Sequence, residues 1–224
     1  RHSSSAASDV YKRQILLSEE YNIERRRLIS EKSSMEVRPG NIPGFGGEVT
    51  VRPKGTTPES FSKFDIGEPT VARFDEPSPN SLGDTKGDTT HFDIIDKWGN
   101  MIAGTPSGGW LQSSPIIPEL GFCLSNRGQM FWLDDNSPAC IGPKRRPRTT
   151  LSPSLALKDG VPYMVFGTPG GDQQDQWSLH LFLRHVHFGL NLQEAIDAPG
   201  FSTAHFPNSF YPRETDIGLS LIHI

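Results

Sequence analysis

The chain has 224 residues, 34% of them hydrophobic, with 22 glycines, 19 prolines and a formal net charge of -4. That length can bury a real core as one large domain or two small ones, but the composition implies much loop and a core that needs a partner segment. The acidic balance excludes general nucleic-acid and anionic-membrane binding, and no apolar run approaches the ~18 residues of a membrane span.

From Ile15 to Lys32 the sequence is charged and helix-prone, with Leu17, Tyr21 and Leu28 spaced to share one face. Arg25, Arg26 and Arg27 have Glu19, Glu20 and Glu24 nearby and read as a solvated helix face. Between Val37 and Asp88 the density of Gly, Pro, Ser and Thr predicts a long surface loop, with one short strand at Glu48 to Val51. The chain turns regular at Thr90. Phe92, Ile94 and Ile95 predict a strand, 97–100 a turn, and 101–105 the returning strand of a hairpin. Ser154 to Leu157, Asp159-Gly160 and Tyr163 to Phe166 predict a second hairpin. A helix follows from Gln173 to Phe188, closed by Gly189, and Asn191 with Glu194 predicts a capped last helix that Pro199 ends. Strand hairpins followed by helices give an α+β chain. Cys123 and Cys140 permit one disulfide but read more simply as free thiols, which leaves the redox compartment open.

The chemistry centres on Gly87-Asp88-Thr89-Thr90-His91, at the mouth of the first hairpin. Thr89 reads as a nucleophile whose base is its own α-amino group, freed by cleavage of the Asp88–Thr89 bond. Such an amine titrates near ~7.7–8.0 and is partly neutral at physiological pH. In the intact chain the same hydroxyl attacks the Asp88 carbonyl, and water then hydrolyses the ester. The plainer alternative is a pair of β-prone threonines opening a strand.

Gly167-Thr168-Pro169-Gly170-Gly171 stands at a helix start, where backbone N–H groups face an anion. The Lys-Ser/Thr of a phosphate loop is absent, so an oxyanion hole formed by Gly170 and Gly171 fits better. Lys144, Arg145, Arg146 and Arg148 form the strongest basic run; it reads as a solvated loop or, more sharply, as a docking surface for a substrate carboxylate. No aromatic residue is interleaved there, which argues further against nucleic acid. His180, His185 and His187 lack the acidic partner of a zinc helix and read as structural or surface residues. No metal or organic cofactor is implied.

Four pieces, in order, carry a resemblance: Thr89-Thr90-His91-Phe92, Asp96-Lys97-Trp98-Gly99-Asn100, Arg146-Pro147-Arg148-Thr149-Thr150-Leu151-Ser152-Pro153, and the Gly167 to Gly171 turn. From about Ile15 to Arg213 the chain resembles the γ-glutamyltransferase family of N-terminal-nucleophile hydrolases. The resemblance implies a four-layer αββα sandwich, incomplete here because most of the larger, N-terminal segment is missing. It divides the chain into 15–88, the end of that larger segment with a mobile leader, and 89–215, the small catalytic segment. Residues 1–14 and 216–224 fall outside it and read as non-native linker, so the true N-terminus and any targeting signal are expected to be absent.

The resemblance also implies roles. Ser107, eighteen residues after Thr89, stands where the family has a hydroxyl that hydrogen-bonds the nucleophile, with Thr105 as a fallback. Thr149 and Thr150 match the paired hydroxyls that hold the substrate carboxylate. Gly109 and Met130 occupy the positions of an Asn and an acid that hold the donor's amino group; Arg127 nearby would repel that ammonium and is a candidate, as are Thr149 and Thr150, to hold the terminal carboxylate of a glutaryl-type donor. The implied activity is hydrolysis or acyl transfer of γ-glutamyl or related amides, with water, an amino acid or a peptide as acceptor. Two departures stay open: an acylase for glutaryl-type amides, and a catalytically silent fragment that lacks its larger segment.

Overall fold

Two β-hairpins organise the chain. The computed structural model describes residues 12–43, 51–53, 89–108, 116–125, 127–137, 139–210 and 213–223, the last four of these for backbone only. Asp88, Gly109 and Trp110 lie outside the described residues, as do Glu48 to Thr50 of the expected short strand.

Strands β1 (Phe92–Ile95) and β2 (Met101–Gly104) pair antiparallel, with Phe92 opposite Gly104. Their turn is built by Asp96, whose carboxylate accepts from the Trp98 and Asn100 N–H groups and the Asn100 amide. The Asn100 side-chain bond leads the causes that hold the Asp96 carboxyl below its ordinary value.

After a short ladder of β3 (Ile116–Ile117) and β4 (Phe122–Cys123), a 3-10 turn spans Arg127–Met130. The second main hairpin joins β5 (Ser154–Lys158) to β6 (Val161–Phe166). Its two-residue turn takes positive φ at Asp159 (52°) and Gly160 (80°), the geometry that suits the twist of a hairpin and that Asp-Gly adopts readily.

Helix α1 (Glu19–Arg26) is shorter than the predicted 15–32 helix. Ser18 accepts from the Tyr21 N–H and caps a new start, so residues 12–16 form a separate helical turn and Leu17 is left exposed. Helix α2 (Gln174–Val186) and helix α3 (Leu192–Asp197) follow the second hairpin. At α3 the Asn191 side chain accepts from the Glu194 N–H while the Glu194 carboxylate accepts from the Asn191 N–H, the reciprocal cap read from the sequence.

Helix α2 is the beam on which the rest rests. Phe182 stacks on Phe166 of β6 at 5.6 Å, and His185 stacks on Tyr163, its Nε2 2.8 Å from the Tyr163 hydroxyl. On the other side Gln176 exchanges two bonds with the Thr203 backbone (3.1 and 2.9 Å), and His180 packs on Phe201. Arg184 donates to the carbonyls of Ala195, Ala198 and Pro199 and so closes the C-terminal end of α3. Burial, with the charge of Arg184 next, holds the His180 imidazole below its ordinary value.

Strand β7 (Gly200–Thr203) pairs with β8 (Ser220–His223), inside the terminal segment that the sequence alone set apart from the fold. The described residues thus form an α+β chain with four two-stranded antiparallel ladders. Both thiols are free; burial, with the Asp135 carboxylate beside it, pushes the Cys140 thiol up. Among the described residues no helix is long and apolar enough to cross a membrane.

Candidate active site

The first hairpin sets Thr89 opposite Ser107. With Phe92 paired to Gly104 and the Thr90 N–H donating to the Pro106 carbonyl, the two chains reach their mouth in register. There Thr89 Oγ1 and Ser107 Oγ share a hydrogen bond of 2.7 Å. Thr105, the alternative partner, is committed elsewhere, since its hydroxyl lies 2.8 Å from His91 Nδ1.

His91 ties the mouth together. Its Nε2 lies 2.8 Å from Asp93 Oδ1, and its side chain is only 9% exposed. The ring rests on Gly167, where an added Cβ would stand 2.3 Å from His91 Cε1. At the hairpin's far end a Cβ on Gly99 would stand 3.2 Å from Pro162 Cγ. Because Pro162 lies near the start of β6 and Gly167 follows its end, β1 and β6 run in opposite directions side by side. The strand end that carries Thr89 therefore stands beside the chain that delivers the Gly-rich turn. His91 lay within a motif the sequence singled out, but nothing in the pattern showed that its ring would bridge the two hairpins.

Gly170 has φ 131° and ψ 45°, and Gly171 φ 56°, before the 3-10 turn Gly171–Gln173 leads into α2. A Cβ on Gly170 would meet the Trp177 ring at 2.3 Å, so glycine is required there by backbone conformation and by space together. Asp172, the next residue, is held from three sides. Its Oδ2 accepts from the Ser209 N–H at 2.7 Å, its Oδ1 accepts from the Ser209 hydroxyl, and Arg148 Nη2 approaches Oδ1 at 3.4 Å.

Thr149 and Thr150 face different surroundings. Thr149 is exposed and accepts from the Leu151 N–H at 3.1 Å, while Thr150 is buried. The Thr150 hydroxyl and Gln174 Nε2 are both buried with no hydrogen-bond partner, and Gln174 Oε1 accepts from the Ser152 N–H at 3.4 Å. Two ties, from Arg148 to Asp172 and from Ser152 to Gln174, thus fix the Thr149-Thr150 loop to the segment that follows the Gly-rich turn.

Arg127 and Met130 are both buried in their 3-10 turn. Arg213 holds this turn from outside, donating to the carbonyls of Gln129 (2.7 Å) and Phe131 (2.6 Å) with its guanidinium 5.0 Å over the Trp132 ring. The turn borders a groove of about 570 Å³ whose walls include Gln129, Trp132, Asp134 and Arg213. None of Thr89, Ser107, Gly170 or Gly171 lines that groove, so it is separate from the hydroxyl pair.

Chemically, the first hairpin offers a paired hydroxyl, and the Gly-rich turn offers glycine N–H groups at a helix start. That set suits acyl transfer through an alkoxide. Among the described residues no group of three or more His, Cys, Asp or Glu side chains is placed to hold a metal ion.

Residues 5–217 match the profile of the gamma-glutamyltranspeptidase family. The glutathione hydrolase proenzyme of Pseudomonas sp. (strain A14) is 35% identical over 132 residues, which is 54% of this chain and 23% of that one. The oxamate amidohydrolase proenzyme of Klebsiella pneumoniae subsp. pneumoniae is 32% identical over 146 residues, 64% of this chain and 26% of that one. Two solved structures of LmbA2991 share 46% identity, cover 93% of this chain and 34% and 33% of theirs, and superpose with TM-scores of 0.69 and 0.65. The chain spans about a quarter of the length of the curated relatives it matches.

Proposed function

The chain belongs to the gamma-glutamyltranspeptidase family, and from that premise we propose that it carries the catalytic segment of an autoprocessed N-terminal threonine amide hydrolase or acyltransferase. The observation that carries this reading is the 2.7 Å bond between Thr89 and Ser107 at the mouth of the first hairpin, beside the Gly-rich turn. Thr89 Oγ attacks the Asp88 carbonyl, the Thr89 nitrogen leaves with a proton, and water hydrolyses the ester to an Asp88 carboxylate and a free Thr89 amine. That amine then takes the hydroxyl proton as Thr89 attacks the substrate's amide carbonyl. Ser107 orients the nucleophile, and the N–H groups of Gly170 and Gly171 stabilise the oxyanion. The amine returns the proton to the leaving group. Water then completes hydrolysis, or an amino acid or peptide amine completes transfer.

In this reading residues 89–215 form the small catalytic segment, 15–88 close the larger one, and both belong to a four-layer αββα sandwich. Thr149 and Thr150 hold the donor's carboxylate. The complete open reading frame that encodes this chain tests the proposal. Intact-mass analysis should find a C-terminal chain beginning at Thr89, and Thr89→Ala should give one uncleaved chain. Cleavage at the same bond in that variant would remove Thr89 from the mechanism.

The residue types at Gly109 and Met130, where the family resemblance has an Asn and an acid, favour a second reading of the substrate. Without that acid, or that Asn, a donor's ammonium loses a charge-assisted bond of about 1.5–3 kcal/mol. A glutaryl-type donor, with a carboxylate but no amine, escapes that loss. One relative is named for oxamate rather than glutathione, which fits a family with more than one acyl donor. The kcat/KM for a glutaryl anilide should exceed that for the matching γ-glutamyl anilide; the reverse order assigns the γ-glutamyl activity.

A further inference from the structure

We propose that Asp172 is a positioning residue of the acyl-transfer site, the anchor that aims the Gly171 N–H at the oxyanion. This rests on the mechanism proposed above. Gly170 and Gly171 occupy conformations that side-chain-bearing residues rarely adopt, and neither has a side chain with which to hold itself there. A donor that must stand ready for a charge it meets only in the transition state gains its effect from not moving. Asp172 supplies the missing restraint from the next position along the chain.

Its carboxylate is 7% exposed and takes three donors: the Ser209 N–H, the Ser209 hydroxyl and the Arg148 guanidinium. Ser209 lies 37 residues downstream and is itself buried, so the turn is fixed against another part of the fold and not merely against its own helix. The Ser209 side extends further. Arg213 donates its N–H to the Phe210 carbonyl and its guanidinium to Gln129 and Phe131. The Arg148 side leads directly into Thr149 and Thr150. Asp172 is thus where the Gly-rich turn, the Thr149-Thr150 loop and the C-terminal loop are joined.

The pattern around it is regular. Asp172, Gln174 and Gln176 each send a polar side chain to a different segment: Ser209, Ser152 and Thr203. Asp172 is the one that adjoins the donors.

The test uses Asp172→Ala, Asp172→Asn and Ser209→Ala in the complete protein, with processing followed on a denaturing gel. Processing of the parent reports on the Thr89 mechanism, so an uncleaved, inactive parent indicts that reading and not Asp172. In the processed variants, kcat should fall about 10–100-fold in Asp172→Ala, the loss a misplacement near 1 Å produces. KM should stay within about threefold, because the ground-state carbonyl makes little use of the aimed donor. A boronic acid analogue of the acyl group, which forms a tetrahedral adduct on Thr89, should weaken in step with kcat. Asp172→Asn keeps one acceptor for the Ser209 N–H and should recover most of kcat; Ser209→Ala should lose about three- to tenfold by removing the hydroxyl bond alone.

A merely structural residue would move substrate and analogue affinity together. That result, or an unchanged kcat in Asp172→Ala, overturns the proposal. Should Asp172→Ala fail to fold or process, Ser209→Ala decides, and full kcat with full analogue affinity there overturns it equally.

Discussion

Replacing Gly170 by alanine tests whether the Gly-rich turn has the conformation seen here. At φ 131° a residue with a Cβ is strained by about 1–3 kcal/mol. The new Cβ would also stand 2.3 Å from Trp177 Cζ3. Carbon atoms prefer separations of about 3.5–4.0 Å. Relieving such overpacking typically costs a further ~1–3 kcal/mol. The two terms give about 2–6 kcal/mol, a large part of the ~5–15 kcal/mol that holds a typical domain. Urea denaturation reads the loss: with m near ~2 kcal/mol/M, a ~3 kcal/mol effect lowers the midpoint by about 1.5 M. Trp177→Leu separates the terms, since it removes the ring and leaves the backbone strain. In that background Gly170→Ala should cost less by the packing share, a coupling of about 1–3 kcal/mol. Additive losses would show that the ring does not crowd Gly170, and an unchanged midpoint in the single variant would refute the turn's geometry altogether.

Ser107→Ala removes a neutral hydrogen bond to Thr89 worth about 0.5–1.5 kcal/mol, so kcat/KM in the processed protein should fall about 2- to 12-fold; unchanged kinetics would remove Ser107 from the site. Arg184→Met strands three carbonyls at the end of α3 and should cost about 3 kcal/mol in urea denaturation, at ~1.5–3 kcal/mol per bond from a charged donor less what water recovers. A midpoint like that of the parent would show that those carbonyls do not need it. Because burial holds the folded His180 imidazole below its ordinary value, the unfolded chain binds that proton first as pH falls. The stability His180 contributes is full above ~6.5 and is lost as pH drops from there through the lowered value. His180→Gln should flatten stability across that window, and an unaltered slope would refute the assignment.

What the sequence made legible was local. The Asp159-Gly160 turn, the Asn191 and Glu194 cap and the strand of Phe92 to Ile95 each depend on residues a few positions apart, and each forms as read. The predicted 15–32 helix fails for an equally local reason, because Ser18 competes for the Tyr21 N–H and restarts the helix. Long-range pairing is different. β7 shows no alternation of its own and exists because β8 pairs with it and Gln176 holds it. The chemistry-bearing types at Thr89 and the Gly-rich turn announce themselves, whereas Asp172 reads as an ordinary acid in the first turn of a helix, where the dipole alone would account for it. Only its partner 37 residues away gives it another meaning.

Among the described residues, the hairpins that carry the site leave much of their apolar surface uncovered. Phe92, Ile94, Ile95, Leu155 and Leu157 are all exposed to 44% or more, while the most buried side chains include Gln174 and Thr215 beside Met130. Apolar burial is non-directional and would fix such hairpins only loosely even if it were complete. Hydrogen bonds from side chain to backbone specify position, since each demands a particular atom at a particular distance. Here they come from Asp172, Gln174, Gln176, Arg184 and Arg213, and every one of them is made to a segment other than the residue's own. Alignment of the Gly-rich turn with the Thr89 mouth should therefore be more sensitive to loss of one of these polar ties than to trimming an exposed Ile or Leu of β1 or β5.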